Sequence, residues 1–161
     1  MIRHSLPSDQ PALARVYAAA REIMRRSGNP TQWGDSRPDP ARIEQDIESG
    51  AGYVLEDDGG VYGAFALLFG EDPTYAVIDG AWPNDKPYAT LHRIASDGTH
   101  RGVLAEILAF CDAKTDTLRI DTHENNRIMR HMLEKAGFVP CGTIRLENGD
   151  PRLAFQKERG A

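Results

Sequence analysis

The chain is poor in cysteine: Cys111 and Cys141 are the only two in 161 residues, far apart and without a CxxC spacing. Cys111 falls on an apolar helix face and Cys141 inside a predicted strand, so both are expected as buried, reduced thiols. There is no lysine/arginine-rich run, and 19 basic against 24 acidic side chains leave a net charge of −5. A nucleic-acid partner, which calls for a basic face, is therefore not expected; a small anionic ligand needs only a local positive site. The N-terminus has no apolar signal core and no run approaches a membrane span, so no membrane partner is expected and the expected location is cytoplasmic. Repeats, low-complexity tracts and long linkers are also missing. Residues 1–161 thus read as one domain, long enough to bury roughly two thirds of its unfolded surface.

What is present is an ordinary globular mixture, 40% hydrophobic and 27% charged. Its most organised stretch is Thr90 to Ile107, TLHRIASDGTHRGVLAEI. A strand to Ser96 is followed by a glycine-bearing loop, Asp97 to Gly102. A helix then opens near Val103 with Leu104, Ile107, Leu108 and Cys111 on one face. Such a junction aims unpaired amides and the positive end of a helix dipole at one spot, which suits a phosphate, with His100 and Arg101 beside it. Most such junctions bind nothing, and Arg101 then reads as a solvated loop charge.

Ile2 to Ser5 is a short strand candidate. Ser8 reads as the N-cap of a helix to about Arg26, with Leu13, Val16, Tyr17, Ala20, Ile23 and Met24 at helical spacing. After an irregular segment, Asn29 to Arg37, Asp39 and Pro40 start a shorter helix that Gly50 closes. Tyr53 to Glu56 and Val61 to Phe69 flank the turn Asp57-Asp58-Gly59-Gly60 as a hairpin. Tyr75 to Asp79 is a further strand candidate before the central strand Tyr88 to Ser96. Leu118 to Thr122 is a buried strand, and the polar cluster Thr122 to Asn126 leads into a helix that ends at Gly137. Phe138 to Leu146 and Arg152 to Gln156 close the chain as a hairpin, with Pro151 at a strand edge. The order β-α-α-β-β-(β)-β-α-β-α-β-β implies a mixed sheet with helices on both faces, α/β or α+β.

That order, together with Leu118 to Phe138 (LRIDTHENNRIMRHMLEKAGF), Cys141-Gly142 and the run Gly149 to Ala154, resembles the Gcn5-related N-acetyltransferases, the GNAT superfamily, over essentially the whole chain. The closest pattern is that of a bacterial subgroup of unknown substrate. The resemblance implies a mostly antiparallel central sheet of six to seven strands, an acetyl-CoA co-substrate and no metal. It implies direct attack of a primary amine, on a small molecule or a peptide, upon the thioester. Homodimers are common in the family. By position, Ile94, Ala95 and Ser96 would lend backbone bonds to the pantetheine arm, His100, Arg101, Gly102 and Val103 would hold the diphosphate, and Asn126 would bond the arm. Asn126, like Asn125, also reads as a plain helix cap.

Two departures stand out. The family loop [Gln/Arg]-x-x-Gly-x-[Gly/Ala] meets Thr99 at its first position and Leu104 at its sixth, and the loop is about two residues shorter. The family's frequent proton-donating tyrosine falls at Leu133. These departures motivate the alternative of a non-catalytic acyl-CoA-binding or regulatory module.

Acetyl transfer to an amine needs the neutral amine, which at pH 7 is about one lysine-like molecule in two to three thousand, a deficit of roughly 4–5 kcal/mol. A base is therefore expected. His123, at the end of a buried strand with Glu124 and Asp121 near it, is the candidate, against the plainer role of a strand-end polar residue. His92 and Arg93 adjoin the central strand, where alternation puts them on opposite faces. Trp33, Trp82 and His92 are the candidate acceptor-pocket residues, and each tryptophan has a packing role as its rival. Glu56 and Asp79 are further carboxylate candidates.

Overall fold

The computed structural model describes residues 1–160. Eight strands form one sheet, with spatial order β1, β2, β3, β5, β6, β8, β7, β4. In chain order these are β1 (Ile2–His4), α1 (Gln10–Arg26), α2 (Pro40–Ser49), β2 (Gly52–Asp57), β3 (Gly60–Phe69), β4 (Asp79–Gly80) and β5 (Ala89–Ser96). They continue with α3 (Val103–Asp112), β6 (Thr117–Thr122), α4 (Arg127–Lys135), β7 (Val139–Arg145) and β8 (Pro151–Glu158). Every pairing is antiparallel except β5 with β6. The α/β architecture and the expected element order are both present.

One face of the sheet is covered by α1 and α2, through Leu13, Val16, Tyr17 and Ala20 on Val54, Val61, Ala64 and Ala95. The other is covered by α3 and α4, through Ile107, Leu108, Cys111 and Leu133 on Leu55, Phe65, Leu91 and Ile120. A third cluster, Tyr75, Ile144 and Ala154 with Trp82 and Tyr88, lies under the segment before β5. Among the described residues no helix is long and apolar enough to cross a membrane.

Local differences from the expected elements have physical causes. Ser8 caps nothing: Pro7–Asp9 is a 3-10 turn leading into α1. The Asp9 carboxylate instead accepts from the Leu6 amide at 2.7 Å and from both terminal nitrogens of Arg3. The strand expected over Tyr75 to Asp79 shrinks to Asp79–Gly80, because Asp72 caps a 3-10 turn at Pro73–Tyr75. This short strand brings the count to eight rather than six to seven. It pairs with β7 through Gly80 opposite Gly142, where a Cβ on either residue would strike the facing backbone. Cys111 is buried, and burial raises its thiol to about 12. Cys141 is only partly covered, contrary to the expectation of a buried thiol.

The sheet's decisive feature is where it comes apart. β5 and β6 are in register only at Ala89–Leu118 and Thr90–Arg119. From Leu91 onward they diverge, and parallel neighbours that part leave a gap lined by unpaired backbone groups.

Candidate active site

The gap is held open on its β5 side by a bulge. The β3–β5 register shifts between Ala64 and Ala66, so Arg93 is an extra residue with φ +53. A left-handed non-glycine residue costs about 1–2 kcal/mol and persists only where its surroundings demand it. Here Arg93 Nε and Nη2 reach the two carboxylate oxygens of Asp46 on α2, at 2.7 and 2.8 Å. The Tyr17 hydroxyl on α1 donates to the Arg93 carbonyl at 3.0 Å. The bulge overturns the alternation expected from sequence: His92 and Arg93 line the same cleft.

That cleft, about 720 Å³, passes between the parted strands. Ile94, Ile120, Asn126 and Met129 line its α4 side, and Trp33, Asp72, His92, Asp121 and Arg152 line the other. The volume lies within the usual range of small-molecule sites. Its polar centre is His92, whose Nε2 is 2.8 Å from Asp72 Oδ2 and whose Nδ1 is 4.0 Å from Asp121 Oδ2. Thr74 donates through its amide and hydroxyl to Asp72 Oδ1. Burial works against ionisation of Asp72, but the bonds from His92 and Thr74 outweigh it and bring the carboxyl down to about 2. An ionised Asp72 can only accept, so His92 Nε2 carries a hydrogen; in the neutral imidazole the lone pair is then on Nδ1, the nitrogen nearer Asp121. The Tyr75 hydroxyl donates to Asp121 at 2.7 Å. Burial, reinforced by Asp121, holds that phenol well above its usual range.

At the other end, Gly63 has no side chain where Leu55, the Ala95 carbonyl and Val103 converge, which seats the first turn of α3 against β3. Gly102 caps α3 with φ +71 and offers no side-chain acceptor. The first-turn amides of Val103, Leu104 and Ala105 have no acceptor among the described residues. Leu104 points into the core at 8% exposure, so it leaves this amide cluster clear. Arg101 is exposed on the loop. His100 is committed elsewhere: it stacks on Tyr62 at 3.6 Å and its Nε2 lies 2.6 Å from Asp57. Asp97 also occupies the Thr99 amide. The Asp97 amide bonds the Tyr62 carbonyl on β3, so strand alternation turns the amides of Ser96 and Ile94 toward the gap. Ala95 faces α1.

The remaining sequence candidates divide. Trp33 lines the cleft and packs edge-on against Tyr17. Trp82 does not line it; its indole donates to the Tyr75 carbonyl and its ring covers the Arg119 guanidinium at 4.0 Å. His123 lies outside the cleft lining. Its Nδ1 accepts from the Asn125 amide at 3.0 Å and its Nε2 is 3.3 Å from Thr31 Oγ1. Burial, with Arg152 adding to it, lowers the His123 pKa. Asn126 takes the helix-cap role, its Oδ1 accepting from the Met129 amide at the start of α4, and the residue also lines the cleft. Glu56 is paired with Arg3, and Asp79 is exposed in β4. Leu133 is fully buried.

Sequence reasoning missed Gln32, Asp72 and Arg152. Gln32 Oε1 accepts from Asn29, Thr122, the His123 amide and Asn126, which docks the 29–37 segment onto the ends of β6 and α4. No local pattern marks Gln32 or Asp72, and Arg152 falls within the run Gly149 to Ala154 without a role of its own.

A sheet parted between two parallel strands, with a glycine-capped helix at one lip and a polar cluster at the other, is an acyltransferase architecture. The chain is 32% identical to a GNAT-family acetyltransferase from Streptococcus agalactiae, covering 100% of this chain and 96% of that one, with a TM-score of 0.89. A GNAT-family acetyltransferase from Listeria monocytogenes superposes with a TM-score of 0.71 at 24% identity, covering 98% and 94% of the two chains, and supports the fold alone. No family model and no curated protein sequence matches the chain. The chain belongs to the GNAT family of acetyltransferases.

Proposed function

We propose that this protein is an acetyl-CoA-dependent N-acetyltransferase whose acceptor amine sits between His92 and Asp121. The observation that carries the reading is the cleft through the gap between β5 and β6, with the Asp72–His92–Asp121 cluster on its wall. The coenzyme, when bound, supplies a thioester acyl group. The residues present fit it: the free amides of Val103 to Ala105 and the Arg101 guanidinium suit the diphosphate. The amides of Ile94 and Ser96 suit the pantetheine arm, with Asn126 across the gap.

A nitrogen placed about 2.8 Å from both His92 Nδ1 and Asp121 Oδ2 fits the 4.0 Å between them. Asp121 attracts the ammonium form, and His92 Nδ1 takes the proton that must leave before attack. Asp72 acts as a positioning residue, holding the imidazole by Nε2. General-base help of this kind is worth on the order of 10²–10⁴ in rate. Leu133 contributes no acid from the core.

Calorimetry with acetyl-CoA and free-thiol release across an amine panel test the reading. Binding and turnover are expected. No heat at millimolar coenzyme, or binding without turnover of any amine, would overturn it, the second outcome favouring a non-catalytic binding module. Arg101→Ala is expected to weaken coenzyme binding several-fold and flatten its salt dependence; an unchanged dissociation constant would remove Arg101 from the diphosphate site.

A further inference from the structure

Arg152 is 6% exposed yet lines the cleft. Its guanidinium donates to two backbone carbonyls, Pro151 at 2.9 Å and Gln32 at 3.3 Å, and no carboxylate pairs with it among the described residues. The other covered guanidinium groups are compensated. Arg93 has Asp46, Arg3 has Asp9 and Glu56, and Arg119 lies between the rings of Trp82 and Tyr88. Asp121 and Asp150 act on Arg152 only from beyond ion-pair distance; a covered cation without a carboxylate in contact is costly, and the cost is relieved when an anion arrives. Arg37 lines the same cleft and adds positive charge.

The register fixes where this charge stands. Asp121 pairs with Ala154, and Arg152 lies two residues along β8, on the same face. Diagonal neighbours of this kind are about 7–8 Å apart. The seat for a cationic amine at His92 and Asp121 and the guanidinium that lacks a paired carboxylate are therefore one small molecule apart.

We propose that the acceptor is an amino acid: an amine that carries its own carboxylate, received by the Arg152 guanidinium while the amine lies between His92 and Asp121. An amine that carries no carboxylate, or an amide, would leave Arg152 without a paired anion. This rests on the transferase reading above, and it specifies the acceptor for that same site.

The test is titration of the full chain, saturated with coenzyme A, by each of the twenty L-amino acids, β-alanine and γ-aminobutyrate, every acid paired with its own amide. At least one acid is expected to bind tenfold or more tightly than its amide. In Arg152→Gln that preference should vanish, while the affinities for the amide and for coenzyme A stay within about twofold. Arg152→Lys keeps a buried charge and should keep part of the preference. Because Arg152 also holds the Gln32 carbonyl, the acid-against-amide comparison in the unaltered protein stands as a test needing no variant. Amides that bind as well as acids, no acid that binds, or a preference that survives in Arg152→Gln would each overturn the proposal. Absence of coenzyme heat would instead overturn the transferase reading, so the two failures are distinguishable.

Discussion

His92 has two ring nitrogens and each faces a carboxylate, Asp72 at 2.8 Å and Asp121 at 4.0 Å. The shorter contact orients the ring and the longer one leaves room for a nitrogen. His92→Ala is accordingly expected to lower kcat by about 10²–10³-fold with coenzyme affinity little changed; steady-state kinetics beside calorimetry checks both. If coenzyme affinity fell and kcat held, His92 would be a binding residue. Asp72 has a second, independent readout. Its folded-state carboxyl, at about 2, lies below the unfolded value near 4, so its contribution to stability is complete above pH 4 and is lost as pH falls toward 2. The stability advantage of the native protein over Asp72→Asn, followed by urea midpoints from pH 6 to 3, should be constant down to about pH 4 and shrink below it. A difference that ignored pH would show that the Asp72 charge does not stabilise the fold. At this scale sequence was a poor guide. His92 was legible as an acceptor-pocket residue, but the strand-end position favoured His123 as the base, and only the fold shows its Nδ1 engaged by the Asn125 amide and the ring outside the cleft lining.

Elements were far more legible than side chains, because α1, α3 and α4 each carry an apolar face at helical spacing that the sheet then covers. The exceptions depend on distant partners. β4 exists because Gly80 and Gly142 can approach each other, and the bulge in β5 depends on Asp46 and Tyr17, the latter 76 residues before Arg93. No window of sequence contains that information. The bulge makes a prediction of its own. Asp46→Ala leaves the Arg93 guanidinium, 15% exposed, without its anion and should cost about 3 kcal/mol in chemical denaturation. If the strained Arg93 backbone is what brings His92 to the cleft, turnover of Asp46→Ala under conditions where it remains folded should fall as well. Lost stability with full turnover would separate the bulge from the chemistry.

Across the molecule, the sheet is two four-stranded halves, β1-β2-β3-β5 and β6-β8-β7-β4, joined by the two register pairs between β5 and β6. The glycine-capped helix α3 packs beside β3 in the first half, while α4, with Asn126 at its start, contacts β7 in the second. A ligand lying in the gap touches both halves and so acts as a clasp between them. At one hundred times its dissociation constant it adds about 2.7 kcal/mol, which for a chain of this length raises Tm by roughly 5–11 °C. Hydrogen exchange gives the sharper measurement. Coenzyme is expected to slow exchange on both lips together, at Ile94 to Ser96 and Val103 to Ala105 on one side and at Asn126 to Met129 on the other. The outer pair β1–β2, which has no part in the gap, should keep its free-state rates beyond the general rise in stability. Protection confined to the α3 lip would mean that the coenzyme rests on the surface of one half, and the gap between β5 and β6 would then lose its proposed role in holding it.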